Sequence, residues 1–223
     1  MIKAIIFDLW DTIGTKNIRV SKILKEHFKL EHKNEFTVEY KRPMQLHAWS
    51  NKEDMAKSFL HFFNIPVTEA NIAFVKNTVQ AGVDKAALFE GMEVLLNKLH
   101  EKFKLGLLSN STIFDEEALK KMSVNHLFDA KVYSWQMGTL KPDKKNFDKV
   151  CELLHEKPTE CLFIDNSLKH IEAAKALGMK TIHFNFTGNP LSDTACEKEF
   201  GMKQTDFKNI DQLKKELSKY SIN

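Results

Sequence analysis

With 223 residues, the chain is long enough for one full domain and a smaller insert, and it can bury a core without staples. A net charge of +3, from 33 basic and 30 acidic residues mixed along its length, gives no nucleic-acid stripe. No apolar run reaches membrane-spanning or signal-peptide length. The three cysteines, Cys151, Cys161 and Cys196, lack metal-ligand spacing and read as reduced structural thiols of a cytoplasmic protein.

The first predicted element is a strand over "IKAIIFD" (2–8). Apolar residues run up to Asp8, and a turn follows through Trp10, Asp11, Thr12 and Gly14, as when a parallel sheet holds an acid at its rim. From Gly14 to about Leu88 no buried strand is expected. Helical patterns stand there instead: Val20, Ile23, Leu24 and Phe28; Met55, Phe59 and Phe62; and Ile72, Val75 and Val79. Ser50 and Glu53 have capping-box spacing ahead of the second. Further on, "KLGLLSN" (104–110), "AKVYSW" (130–135), "CLFIDN" (161–166) and "KTIHFN" (180–185) are predicted strands. Helical stripes accompany them: Met92, Leu95, Leu96, Leu99 and Phe103; Phe147, Val150, Cys151 and Leu154; and Ile210, Leu213 and Leu217. Pro142 marks one helix start and Gly178 one helix end. The turn-rich tail 185–207 has room for one edge strand. The alternation predicts an α/β fold with a doubly wound parallel sheet. Residues 1–14 and 89–223 would form that core, and 15–88 a helical insert.

Four features fall at or just after predicted strand ends: Asp8 with Thr12, Ser109 with Asn110, Lys141 in "GTLKPD", and Asp165 with Asn166. In an open α/β sheet the carboxyl ends of the strands share one edge, so these residues can converge on a crevice. Such a set supports displacement by a carboxylate. Asp8 could attack an electrophilic centre, Lys141 supply a cation, and Ser109 and the amides after Asp8 supply donors. Asn110 is a candidate substrate contact beside Ser109. Asp8 and Asp165 are hard oxygen donors suited to Mg²⁺. Each residue also has a plainer reading: a strand-end cap, a solvated lysine, a turn serine or a helix cap.

Taken together, the motifs resemble those of the haloacid dehalogenase-like (HAD) superfamily of phosphatases, dehalogenases and related hydrolases. "FDLWDTI", "LGLLSNS", "GTLKPDKKNF" and "FIDNSLKHIEAAKALGMKTIHF" are similar to its four motifs and stand in their order. Residues 15–88 are similar in position and size to its helical cap. The resemblance implies Asp8 as nucleophile, Thr12 and Ser109 as ligands of the transferring group, and Lys141 as its electrostatic partner. It implies Mg²⁺ held by Asp8, the backbone carbonyl of Trp10, Asp165 and Asn166. Arg42, in "EYKRPMQLHAWS" (39–50), stands roughly where the dehalogenases carry a carboxylate-binding arginine; an exposed basic turn is its plainer reading.

Two departures from the pattern matter. Trp10 stands where the phosphatases usually carry a second aspartate, the acid that protonates the leaving group, and losing it costs about 10²- to 10⁴-fold. Asn166 replaces one of a pair of acids common in relatives, and His170 falls where another acid is common and reads as an exposed helix residue. The favoured function is a Mg²⁺-assisted phosphatase acting on a small phosphorylated compound. A metal-free 2-haloacid dehalogenase and a weakened binding protein of the same fold are the alternatives. The reading calls for no nucleic-acid or membrane partner and leaves monomer and homodimer both open.

Overall fold

The computed structural model describes residues 1–30, 39–186, 206–207, 210–220 and 222. Its centre is a five-stranded parallel sheet of β1 (Ala4–Phe7), β4 (Lys104–Ser109), β5 (Ala130–Tyr133), β6 (Cys161–Asp165) and β7 (Lys180–His183), in the order β5-β4-β1-β6-β7. All four pairings are parallel. The direction of winding reverses at β1, and in such sheets a crevice opens there, at the carboxyl ends of the strands.

Alternation along the strands divides the core. Ala4 and Ile6 face a cluster with Val132, Phe147, Val150, Leu154, Phe163 and Ile171. It is covered by helices α8 (Lys144–Leu154) and α9 (Leu168–Ala176). Ile5 and Phe7 face the other cluster, which runs through α5 (Met92–His100), α6 (Asp115–Lys121) and α10 (Ile210–Ser218) into the insert. Leu24, Met55, Phe59 and Val79 of the insert belong to that same cluster. Gly106 lets α8 lie close on β4, since a Cβ there would stand 2.9 Å from Leu154 Cδ1.

The insert begins and ends on a short antiparallel ladder, β2 (Gly14–Thr15) with β3 (Ala87–Leu88). A Cβ on Gly14 would stand 2.6 Å from the carbonyl oxygen of Ala87, so the ladder closes only around glycine. Between these strands lie α1 (Val20–His27), α2 (Lys41–Gln45), α3 (Lys52–Phe62) and α4 (Glu69–Asp84). Asn51, not Ser50, caps α3: its side chain accepts from the amides of Glu53 and Asp54, both at 2.9 Å. Ile23 and Phe62, placed on apolar stripes by spacing, are 37% and 43% exposed.

Strand β5 stops at Tyr133, and Ser134 opens the short helix α7 (Ser134–Met137), so the predicted strand end at 134–135 is corrected to helix. Gly178 ends α9 with φ of 86°. In the tail, β8 (Asn185–Phe186) pairs with β9 (Asp206–Phe207), apart from the main sheet; residues 187–205 lie outside the described residues, and with them Cys196. Cys151 and Cys161 are buried free thiols whose sulfurs are 3.9 Å apart. Among the described residues no helix is long and apolar enough to cross a membrane.

Candidate active site

Asp8 follows β1 directly and donates its amide to the carbonyl of Ile164, 2.9 Å away. Since Phe7 pairs with Leu107 and Ile164, the next residue along stands level with Leu108 and Asp165. Two carboxylates therefore face each other across neighbouring strands. Lys141 reaches between them, its Nζ 2.5 Å from Asp8 Oδ1 and 2.6 Å from Asp165 Oδ2. All three residues are buried, with Asp165 fully so, and the ring of Phe163 lies under the ammonium at 5.6 Å.

Each member is held by local bonds. Thr12 Oγ1 donates to Asp8 Oδ2 at 3.2 Å. Asn110 grips the backbone of Lys141 at two points: its Oδ1 accepts from the Lys141 amide at 2.7 Å, and its Nδ2 donates to the carbonyl at 3.3 Å. Its side chain is thus engaged with the chain itself rather than presented as a substrate contact. Ser109 is buried, and its hydroxyl has no hydrogen-bond partner among the described residues. Leaving a buried hydroxyl unpaired costs about 1–3 kcal/mol, a debt that an anionic ligand would cancel.

Asp165 is surrounded by donors. Its Oδ1 accepts from the Ser167 amide at 2.8 Å, and His170 Nδ1 lies 3.1 Å from Oδ1 and 3.0 Å from Oδ2. Burial pushes this carboxyl up, but the charges and hydrogen bonds of His170 and Lys141 outweigh it and hold it well below the usual carboxylate range. His170 is therefore no exposed helix residue: only 17% of its side chain is accessible. Asp8 moves the other way. Burial and the charge of Asp165 push its carboxyl up despite Lys141. The lysine itself is desolvated, yet the two acids raise its pKa and keep it an ammonium.

Trp10 is half-buried and packs against the apolar cluster that runs from the sheet into the insert. Lys16 Nζ lies 4.6 Å from the centre of its ring. Asp11, at φ of 61°, turns the chain after it. Asn166 is half-buried; its carbonyl accepts from His183 Nε2 at 2.9 Å, while its side-chain amide has no hydrogen-bond partner among the described residues. Arg42 is exposed on α2 and makes no ion pair among the described residues, so nothing joins it to this cluster. Among the described residues no three His, Cys, Asp or Glu side chains group as a metal cage.

A Rossmann-like parallel sheet in this strand order, carrying an acid–lysine–acid cluster at its carboxyl edge, defines a doubly wound α/β protein with a buried charged site at its switch point. The chain belongs to the haloacid dehalogenase-like hydrolases, whose family model matches residues 2–178. It is similar to a Clostridium perfringens protein named "Putative pyrophosphatase PpaX", 29% identical over 93% of this chain and 92% of that one. A glyceraldehyde 3-phosphate phosphatase of Methanothermobacter thermautotrophicus is 29% identical over 55% of each chain. Among solved structures, a HAD family enzyme of Bacteroides thetaiotaomicron in complex with magnesium and inorganic phosphate aligns over 82% of this chain and 93% of its own. Its TM-score is 0.62 and its identity 22%. An L-2-haloacid dehalogenase of Xanthobacter autotrophicus aligns over 98% and 99%, with TM-score 0.65 and 16% identity. At these identities the structural likenesses speak for the fold alone.

Proposed function

We propose that this enzyme is a phosphatase that passes the phosphoryl group of a small phosphorylated compound to Asp8 and then to water. The observation that carries this is the buried bridge from Asp8 through Lys141 to Asp165, beside the unpaired hydroxyl of Ser109. A phosphoryl group in transfer bears its charge on the outer oxygens, and catalysis is mostly positioning plus neutralisation of that charge. A carboxylate oxygen of Asp8 attacks phosphorus, the bond to the leaving oxygen breaks, and the acyl phosphate that forms is then hydrolysed. Lys141 and Ser109 meet the anionic oxygens throughout, and Thr12 holds the orientation of Asp8. Asn110 is read as a positioner of Lys141. The phosphatase-named relatives support the reaction class.

Magnesium fits this site with the expected ligands. Two buried carboxylates share one ammonium, an arrangement that a bound cation would complement. Asp8, the carbonyl of Trp10 and the amide of Asn166 are the hard oxygens that would hold the ion. Asp165 would complete the set, because a carboxylate oxygen that accepts a hydrogen bond, as the oxygens of Asp8 and Asp165 both do, keeps a further lone pair for a metal ion. When bound, the ion would add charge compensation at the transferring group.

We take residues 15–88 as a cap over the core formed by 1–14 and 89–223, supplying substrate selection by closure. Trp10 limits the leaving group: with no carboxyl there to donate a proton, acyl and aryl phosphates should react faster than alkyl ones. A cytoplasmic location accords with two reduced thiols. The test is release of phosphate from an aryl phosphate, an acyl phosphate and, as a control, of halide from a 2-haloacid, each with Mg²⁺ or chelator and with Asp8→Asn. Phosphate release that fails with chelator and with the variant is expected. Halide release alone, or no release from any substrate, would overturn the reading.

A further inference from the structure

We propose that His170 is a positioning residue for the phosphoryl transfer: it fixes the Asp165 carboxylate from behind so that Asp165 in turn fixes Lys141 against Asp8. The chain of contacts is continuous. His170 Nδ1 meets both oxygens of Asp165 at 3.1 and 3.0 Å, Asp165 Oδ2 meets Lys141 Nζ at 2.6 Å, and Lys141 Nζ meets Asp8 Oδ1 at 2.5 Å. Asp165 is completely buried, and a buried carboxylate is rotationally fixed only where donors surround it. The Ser167 amide supplies one donor to Oδ1; without the imidazole, Oδ2 would have Lys141 alone. His170 reaches this place because α9 begins at Leu168 and its first turn folds the side chain back over the end of β6.

The inference rests on the phosphatase reading, and two measurements separate their failures. Outer hydrogen-bond partners of an active-site group typically change activity by about 10- to 100-fold when removed. His170→Leu fills the space without a donor, so kcat on an aryl phosphate should fall by that factor while KM moves less than about twofold. His170→Asn places an amide nitrogen where Nδ1 stood and should recover most of the loss. If the leucine variant keeps wild-type kcat with only a lower melting temperature, or if both variants lose equally, the role is structural and the proposal fails. Should the wild type release no phosphate, the phosphatase reading fails instead. The contact is then judged by nitrogen-15 NMR of the imidazole: Nδ1 bearing a proton sheltered from solvent exchange upholds the chain, and an unprotonated Nδ1 breaks it.

Discussion

Lys16 Nζ and Asp115 Oδ1 lie 2.7 Å apart, with only 18% and 1% of the two side chains exposed. The pair joins the segment that enters the insert to the helix that follows Ser109. Gly82 of α4 makes room for it, since a Cβ there would stand 3.2 Å from Lys16 Cδ. The ammonium also lies over the Trp10 ring, so one lysine ties insert, core and the rim of the site together.

Removing one partner of a buried pair leaves the other charge uncompensated, at about 3–5 kcal/mol. Lys16→Met should destabilise toward the lower end of that range, because the Thr112 amide and hydroxyl still donate to Asp115 Oδ2. Lys16→Met with Asp115→Leu should regain part of the loss. Urea denaturation checks both, and a single-variant loss below about 1 kcal/mol would mean the pair behaves like a surface bridge.

Trp10→Asp should raise turnover of alkyl phosphates at least about tenfold more than that of aryl phosphates, since only the poor leaving group needs a proton. The ratio of the two rates is the measurement, which removes any common loss from disturbing the indole packing. An unchanged ratio would show that position 10 does not govern leaving-group protonation.

The raised carboxyl of Asp8 has consequences for both activity and stability. A nucleophile must be ionised, so kcat/KM should fall on the acid side through a pKa above the ordinary 3.8. A raised carboxyl contributes stability below its unfolded-state pKa, and loses it as pH rises through the folded value. Asp8→Asn removes the cost of that ionisation. Thermal melts should therefore show the variant more stable than the parent at neutral pH and no more stable in acid, whereas a variant less stable at neutral pH would show Asp8 to be net stabilising.

Much of the fold was legible in the residue pattern, because the five buried strands are apolar runs and α5, α8 and α10 carry periodic stripes. The ladder of β2 with β3 was not, since two residues have no period and only the close approach of Gly14 to Ala87 betrays it. The edge acids, Lys141 and Ser109 could be picked out because each ends a strand or opens a turn. His170 was misread as exposed because a spacing of five from Asp165 is not a helical contact; it becomes one only through the turn at Ser167 that starts α9. Arg42 is exposed, as its plainer reading had it, and a family position without constrained spacing says little about where a side chain lies.

The central claim is covalent transfer to Asp8. Acid quenching of the enzyme during turnover of an acyl phosphate, followed by peptide mass spectrometry, tests it most directly. A phosphoryl group on the peptide containing Asp8, absent from Asp8→Asn, is the predicted result. Turnover that leaves Asp8 unmodified and persists in the variant would contradict it.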